Sequence, residues 1–147
     1  MSDAVTLTRR EGVFHLEMTR PEKKNALTAD MYRLMADALA EAEADAAIRV
    51  ILISGAGGQF TAGNDLADFM ASPPLDDSAP VFRFIDGFSR LTKPFVAAIE
   101  GVAVGVGTTM LLHCDLAYAG AGARFALPFA NLGLVPEAAS SLLLPLL

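Results

Sequence analysis

Two glycine-rich loops, each directly after an apolar run, constrain the fold of this chain most strongly. The first is SGAGGQFTAGNDL, Ser54 to Leu66, and the second is EGVAVGVGTTMLLHCD, Glu100 to Asp115. Glycine permits positive φ and a close approach of the main chain, so both loops can bring bare N–H groups up to a ligand. Two such donors that meet at one carbonyl oxygen would form an oxyanion hole, and its natural ligand is a thioester or an enolate. The alternative, two tight strand-to-helix turns, is open at this point.

Neither loop fits the commoner nucleotide-binding patterns. A dinucleotide-binding loop needs G-x-G-x-x-G, and GVGTTM has Met110 at the third glycine place. A P-loop needs Gly-Lys-Ser/Thr, and neither loop contains lysine.

The order of predicted elements indicates an α/β fold with a largely parallel sheet. A hairpin turns at Glu11-Gly12, and a helix follows Thr28 as N-cap, with an apolar stripe on one face. Strands are predicted at 50–54, 93–101, 115–120 and 123–128, and further helices at 65–70, 81–91 and 108–114. A proline-rich linker, ASPPLDDSAP, lies at 71–80. The apolar stripe of the first helix comprises Met31, Leu34, Met35, Ala38, Leu39 and Ala42.

Composition excludes several classes of function. The net charge of -6 argues against nucleic acid as the main partner. No apolar run is long enough to predict a membrane span, and no secretory signal is expected at the amino terminus. The single Cys114 fits a reducing compartment, so a cytoplasmic location is expected. No cluster of His, Cys and carboxylates suggests a metal, and His15, His113 and Cys114 are interpreted as structural.

Four segments, in order, resemble the crotonase, or enoyl-CoA hydratase/isomerase, superfamily from about Val5 to Pro145. They are RPEKKNALT, FTAGNDLADF, KPFVAAIEGVAVGVGTTMLLHCDLAYA and FALPFANLGLVPEAASSLLLP. The resemblance implies a spiral core of ββα units followed by a helical carboxy-terminal region. That region is absent from this sequence, and the chain ends in the apolar PEAASSLLLPLL. Residues 1–147 are therefore expected to be a truncated amino-terminal core domain, which should aggregate alone. The full-length protein is expected to be a homotrimer or hexamer.

The resemblance also implies a ligand and the residues that bind it. The ligand is an acyl-CoA, with coenzyme A as part of the substrate and no separate cofactor. The main-chain N–H groups of Asn64 and Val106 become the oxyanion donors. Glycines on either side of Val106 should supply backbone freedom there, because β-branched residues resist positive φ. Lysines at 23 and 24 could instead be solvated, and Asp65 could be only a helix-start carboxylate. The matched coenzyme A-binding positions are Lys24, Ala26, Ala62, Gly63, Asp65, Leu66 and Gly105.

Carboxylates decide which reaction is expected. Hydratases of this superfamily use two glutamates, and their places fall on Thr109 and Phe129. Glu137, expected at the start of a helix, matches the glutamate of the Δ3,Δ2-enoyl-CoA isomerase branch. The expected function is therefore isomerisation with Glu137 as a proton-shuttling base, in fatty acid metabolism. Thr109, Pro128 and Phe129 would line the substrate pocket. The alternatives are a hydratase, another crotonase-type activity such as thioester hydrolysis, a non-catalytic acyl-CoA-binding subunit, or a Glu137 that only favours the helix dipole.

Overall fold

Seven strands in two sheets form the frame of the chain in the computed structural model, which describes residues 4–71, 73–74 and 76–147. The strands are β1 Val5–Arg10, β2 Val13–Met18, β3 Val50–Gly55, β4 Phe95–Ile99, β5 Val102–Val104, β6 Leu116–Ala119 and β7 Arg124–Ala126. The larger sheet has the order β1-β2-β3-β4-β6. Its β1-β2 pair is antiparallel and its other pairs are parallel, as the sequence predicted. The smaller sheet pairs β5 with β7 in parallel, and an isolated bridge joins Thr61 to Ala103 of β5.

Within the described residues, five helices connect and cover these strands. They are α1 Ala29–Ala44, α2 Leu66–Ala71, α3 Pro80–Ser89, α4 Val106–Thr109 and α5 Ser140–Leu143. Short 3-10 turns lie at Pro21–Lys23, Met110–His113, Ala130–Leu132 and Leu144–Leu146. The succession of two strands and a helix, as in β1-β2-α1 and β4-β5-α4, gives the ββα units that the resemblance implied.

Local sequence explains the first ββα unit. Glu11 and Gly12 both have positive φ, 53° and 84°, which suits a two-residue hairpin turn. The Thr28 side chain accepts a hydrogen bond from the Met31 N–H at 3.3 Å, so α1 begins at the predicted cap. Alternate residues of β2 and one face of α1 then meet in a single buried core. Within the predicted stripe, Leu34 is only half-buried, whereas Tyr32 is buried.

Two predicted helix boundaries are wrong. The helix expected at 108–114 begins at Val106 and becomes a 3-10 turn after Thr109. Gly105, with φ 56°, allows the chain to turn directly from β5 into this helix. Glu137 does not start a helix either, because α5 begins at Ser140. The predicted linker at 71–80 includes Ser72 and Leu75, which lie outside the described residues.

Apolar side chains are exposed along β6 and β7. Leu116 and Tyr118 of β6 are 53% and 64% exposed, and Phe125 of β7 is 50% exposed. Val135, before α5, is 86% exposed. Among the described residues, no helix is both long and apolar enough to cross a bilayer.

Candidate active site

The two glycine loops touch each other. The Thr61 N–H donates to the Val102 carbonyl at 2.9 Å, and the Val104 N–H donates to the Thr61 carbonyl at 3.0 Å. A Cβ atom at Gly63 would lie 2.8 Å from the Val104 carbonyl oxygen, and one at Gly107 would lie 2.5 Å from Thr61 Cγ2. Glycine is therefore required at these two positions because the loops are packed too closely for a side chain.

The N–H of Asn64 points away from Leu27. The Leu27 N–H donates to the Gly63 carbonyl at 2.8 Å. In a trans peptide the carbonyl and the following N–H point in opposite directions. This bond therefore directs the Asn64 N–H to the side opposite Leu27. In the described part of the chain, the Asn64 N–H donates no hydrogen bond.

The N–H of Val106 is the second unoccupied donor. The Gly105 carbonyl accepts hydrogen bonds from the N–H groups of Thr108 and Thr109 at 2.9 and 3.0 Å. The Val106 N–H points the opposite way, at the start of α4, and it has no acceptor among the described residues. Gly105 alone carries the positive φ at this turn, so Val106 and Gly107 need no left-handed conformation. Two free donors thus lie on adjoining loops.

Glu137 is a half-buried carboxyl group that Thr109 contacts. Thr109 Oγ1 donates to Glu137 Oε1 at 2.5 Å, and Thr109 lies in α4, the helix that Val106 begins. Burial raises the pKa of Glu137, while the hydrogen bond from Thr109 opposes that rise in part. A carboxyl group with a raised pKa holds a proton more readily than an ordinary glutamate, which suits a group that must take up a proton and return it.

A compact turn holds Glu137 in place. Its carbonyl accepts hydrogen bonds from the Ser140 N–H at 3.0 Å and from Ser140 Oγ at 2.7 Å. Ala138 and Ala139 both have positive φ, 53° and 52°, which alanine adopts only at an energetic cost. The His113 ring donates through Nε2 to the Ala138 carbonyl at 2.8 Å, because a carbonyl can only accept. This contact of His113, a residue interpreted as structural from the sequence, lies next to Glu137.

Tyr32 joins the site although the sequence pattern did not single it out. Its hydroxyl group donates to Asn64 Oδ1. Burial, and secondarily the charge of Glu137, raise the pKa of Tyr32 well above its usual value. The sequence gives only a weak indication of this role. Tyr32 lies on α1, and a tyrosine hydroxyl group needs a hydrogen-bond partner when it is buried.

An apolar cavity of about 200 Å³ opens beside Asn64 and Tyr32. Leu27, Phe69 and Val81 contribute to its wall. The predicted pocket residues lie elsewhere: Thr109 is fully buried against Glu137, and Phe129 lines a separate groove with Pro136 and Ser140. Pro128 is half-buried, just before Phe129.

The predicted coenzyme A-binding segments lie side by side. The Ala62 N–H donates to the Lys24 carbonyl at 2.9 Å, which joins KKNA to the first glycine loop. Lys24 and Leu66 are exposed, while Gly63 is buried. Arg20, a residue without a predicted role, donates to the Ala26 carbonyl at 3.0 Å and to Asp65 Oδ2 at 2.7 Å.

The Asp65 carboxylate is already occupied by the fold. Its Oδ1 atom accepts hydrogen bonds from the N–H groups of Ala67 and Asp68, at the start of α2. The hydrogen bond from Arg20 is the main reason that the pKa of Asp65 is lowered. The Asp65 carboxylate therefore accepts hydrogen bonds at the start of α2, as the alternative of a helix-start carboxylate expects.

Known proteins are similar to this chain in fold and in sequence. A family model described as enoyl-CoA hydratase/isomerase matches residues 8–146. A solved structure of OdaA from Pseudomonas aeruginosa is 51% identical, with a TM-score of 0.94, and the match covers 98% of this chain and 58% of that one. The 1,2-epoxyphenylacetyl-CoA isomerase of Escherichia coli K12 is 37% identical over 92% of this chain and 54% of its own length. Enoyl-CoA delta isomerase 2 of Rattus norvegicus is 37% identical over 98% of this chain and 38% of its own length.

These matches identify the class. A chain of ββα units with two glycine loops in contact, matched over nearly its whole length by this family model and by solved structures, has a crotonase fold. The chain belongs to the enoyl-CoA hydratase/isomerase family. It spans about half, or less, of the length of the curated relatives named above.

Proposed function

We propose that the protein binds an acyl-CoA thioester and moves a double bond from the Δ3 to the Δ2 position. The observation that carries this proposal is the half-buried carboxyl group of Glu137, which accepts a hydrogen bond from Thr109 on the helix that begins at Val106. An isomerase needs one base, whereas the two glutamates that a hydratase uses are both replaced here, by Thr109 and Phe129. Two of the relatives named above are isomerases, and other relatives are enoyl-CoA hydratases.

The proposed reaction uses the carboxylate and the two main-chain donors. Glu137 removes a proton from C2 of a 3-enoyl-CoA, and the electron pair moves through C2 to the thioester oxygen. The N–H groups of Asn64 and Val106 stabilise the resulting dienolate oxygen. Glu137, now protonated, returns the proton at C4, which leaves the double bond between C2 and C3. Thr109 holds the carboxylate by donating its hydroxyl proton.

The remaining assignments follow from the same ligand. Coenzyme A would be flanked by Lys24, Ala26, Ala62, Gly63, Asp65, Leu66 and Gly105. The cavity beside Asn64 would take the acyl tail. It is somewhat larger than the ~150 Å³ apolar cavity that accommodates benzene in another protein, so a ring or a short alkyl chain fits. Assembly as a homotrimer or hexamer would cover the exposed apolar strands β6 and β7. A cytoplasmic location would agree with the free Cys114.

Glu137→Gln tests the proposal, because glutamine keeps the shape of the side chain but cannot accept the proton. We expect nearly complete loss of isomerisation with coenzyme A binding retained. Glu41→Gln, on the exposed side of α1, is the matched control and should turn over at the wild-type rate. Isomerisation of a 3-enoyl-CoA and hydration of a trans-2-enoyl-CoA should be measured on the same preparations. Wild-type turnover in Glu137→Gln would remove the proposed base.

The hydration assay distinguishes the proposed isomerase from the second candidate, a hydratase. With no carboxylate at positions 109 and 129, the wild-type protein should produce little 3-hydroxyacyl-CoA. Hydration as fast as isomerisation would favour a hydratase. Binding of acyl-CoA without either reaction would favour the non-catalytic subunit.

A further inference from the structure

The buried hydrogen bond between Tyr32 and Asn64 has no role in the reaction described so far. Tyr32 is 4% exposed and donates its hydroxyl proton to Asn64 Oδ1. Both residues lie at the wall of the cavity beside the first glycine loop. A buried tyrosine hydroxyl group requires a partner, but a main-chain carbonyl would serve for that purpose. Here the partner is the side chain of the residue whose N–H faces the proposed thioester site.

The Tyr32 ring is held by packed helices. Its centroid lies 5.8 Å from that of Phe84, which lies 5.2 Å from that of Phe88, both on α3. Phe84 is fully buried, and Phe88 is 2% exposed. The hydroxyl group is therefore placed by rigid elements, which position functional groups more precisely than loops do.

Asn64, in contrast, lies in a loop that needs restraint. Gly63, directly before it, has φ 84° and gives the main chain freedom that other residues lack. Leu27 holds the residues on either side of Asn64 by two main-chain hydrogen bonds. The Leu27 N–H donates to the Gly63 carbonyl, and the Asp65 N–H donates to the Leu27 carbonyl, both at 2.8 Å. The bond from Tyr32 adds a third restraint, and it acts on Asn64 itself.

We propose that Tyr32 is a positioning residue, which holds the Asn64 side chain and so fixes the main-chain N–H of Asn64 toward the thioester oxygen. This inference rests on the oxyanion role proposed above for Asn64. An oxyanion donor is effective only when it is already aligned with the position of the developing charge. Loss of the Tyr32 hydroxyl group should therefore weaken the donor without removing it.

Tyr32→Phe is the direct test, because it keeps the ring that packs on Phe84. We expect kcat to fall about 10- to 100-fold, while KM stays nearly unchanged. This decrease in kcat should not exceed the decrease caused by removing an oxyanion donor completely. The pH profile should be lower but not displaced, since Glu137 remains the titrating base. Tyr118→Phe changes the other tyrosine of the chain, which is exposed on β6, and should retain wild-type kinetics.

A double-mutant cycle tests whether Tyr32 acts through Asn64. Asn64→Ala keeps the main-chain N–H but loses the side-chain anchor. The loss in kcat for Tyr32→Phe combined with Asn64→Ala should equal the loss for either single variant. Independent, multiplying losses would contradict the proposal. An unchanged kcat in Tyr32→Phe with only a lower melting temperature would also overturn it, because the role would then be structural.

A binding measurement separates this inference from the proposed reaction. Hexanoyl-CoA carries the thioester carbonyl, and S-hexyl-CoA has a methylene group in its place. Wild-type protein should prefer hexanoyl-CoA, and Tyr32→Phe should reduce that preference while binding S-hexyl-CoA equally well. If the wild type shows this preference but no isomerisation, the proposed reaction fails and the role of Tyr32 stands. If Tyr32→Phe leaves the preference intact, or the wild type has none, the role of Tyr32 fails.

Discussion

Glu137 combines two opposing influences on its proton. Burial favours the neutral acid, and the hydroxyl group of Thr109 favours the carboxylate. Burial is the larger of the two, so the pKa lies above the usual range for glutamate. A base must be ionised to act, so turnover should fall as the pH drops through this raised pKa.

Thr109→Val should shift the acidic limb of the pH profile of kcat to higher pH. Valine keeps the branched shape in the buried site but cannot donate to Glu137 Oε1, so the carboxylate loses its one opposing stabilisation. The measurement is kcat against pH for an isomerisation assay. Thr108→Val is the matched control, because its hydroxyl group donates to the Ala103 carbonyl and not to Glu137. A limb that stays in place, or moves to lower pH, would contradict this account of the pKa.

At the scale of elements, the role proposed for α4 rests on its first N–H group, that of Val106. Val106→Pro removes that group at the first helical position, where proline fits a helix well. We expect a loss of about 10²- to 10³-fold in turnover with coenzyme A binding retained. Val106→Ala keeps the N–H and should retain most activity, despite some lost packing of a buried side chain. If both variants are equally inactive, the Val106 side chain matters instead of its N–H.

The contact between the two glycine loops makes a separate prediction about stability. Alanine at Gly63 would adopt positive φ, and its Cβ would lie 2.8 Å from the Val104 carbonyl oxygen. Gly63→Ala should lower the free energy of unfolding by at least about 2 kcal/mol, as strain and overpacking add. Gly122→Ala is the control, because a Cβ there meets no atom within 4 Å, and its effect should stay within about 0.5 kcal/mol. Equal denaturation midpoints for the two variants would show that the loops do not constrain each other.

Elements defined by local chemistry were predictable from the sequence. The Thr28 cap, the Glu11-Gly12 hairpin and the buried strand after α1 depend on residues close together in the chain. The bond between Tyr32 and Asn64 joins residues 32 positions apart, so no local pattern indicates it. The prediction that Glu137 starts a helix was wrong for a related reason. Two alanines in a left-handed conformation precede α5, and alanine gives no sequence signal for such a turn.

At the scale of the whole molecule, the exposed apolar strands β6 and β7 should determine behaviour in solution. Residues 1–147, expressed alone, should associate as concentration rises, because exposed apolar patches favour association. Sedimentation velocity over a concentration series measures this. Charged substitutions at Tyr118 and Phe125 should weaken the association. A sharply melting monomer at all concentrations would show that the exposed strands are tolerated in water.

A chain of packed rings runs through the molecule from Tyr32 over Phe84 and Phe88 to His113, whose ring centroid lies 5.1 Å from that of Phe88. One end of this chain bonds to Asn64 and the other to the residue after Glu137. Val81, at the start of α3, also lines the cavity proposed for the acyl tail. In the proposed reaction, acyl-chain preference and catalytic geometry would therefore both depend on α3. An evolutionary change that reshapes α3 for a bulkier substrate would disturb both halves of the site at once, so new substrate ranges should arise through paired rather than single substitutions.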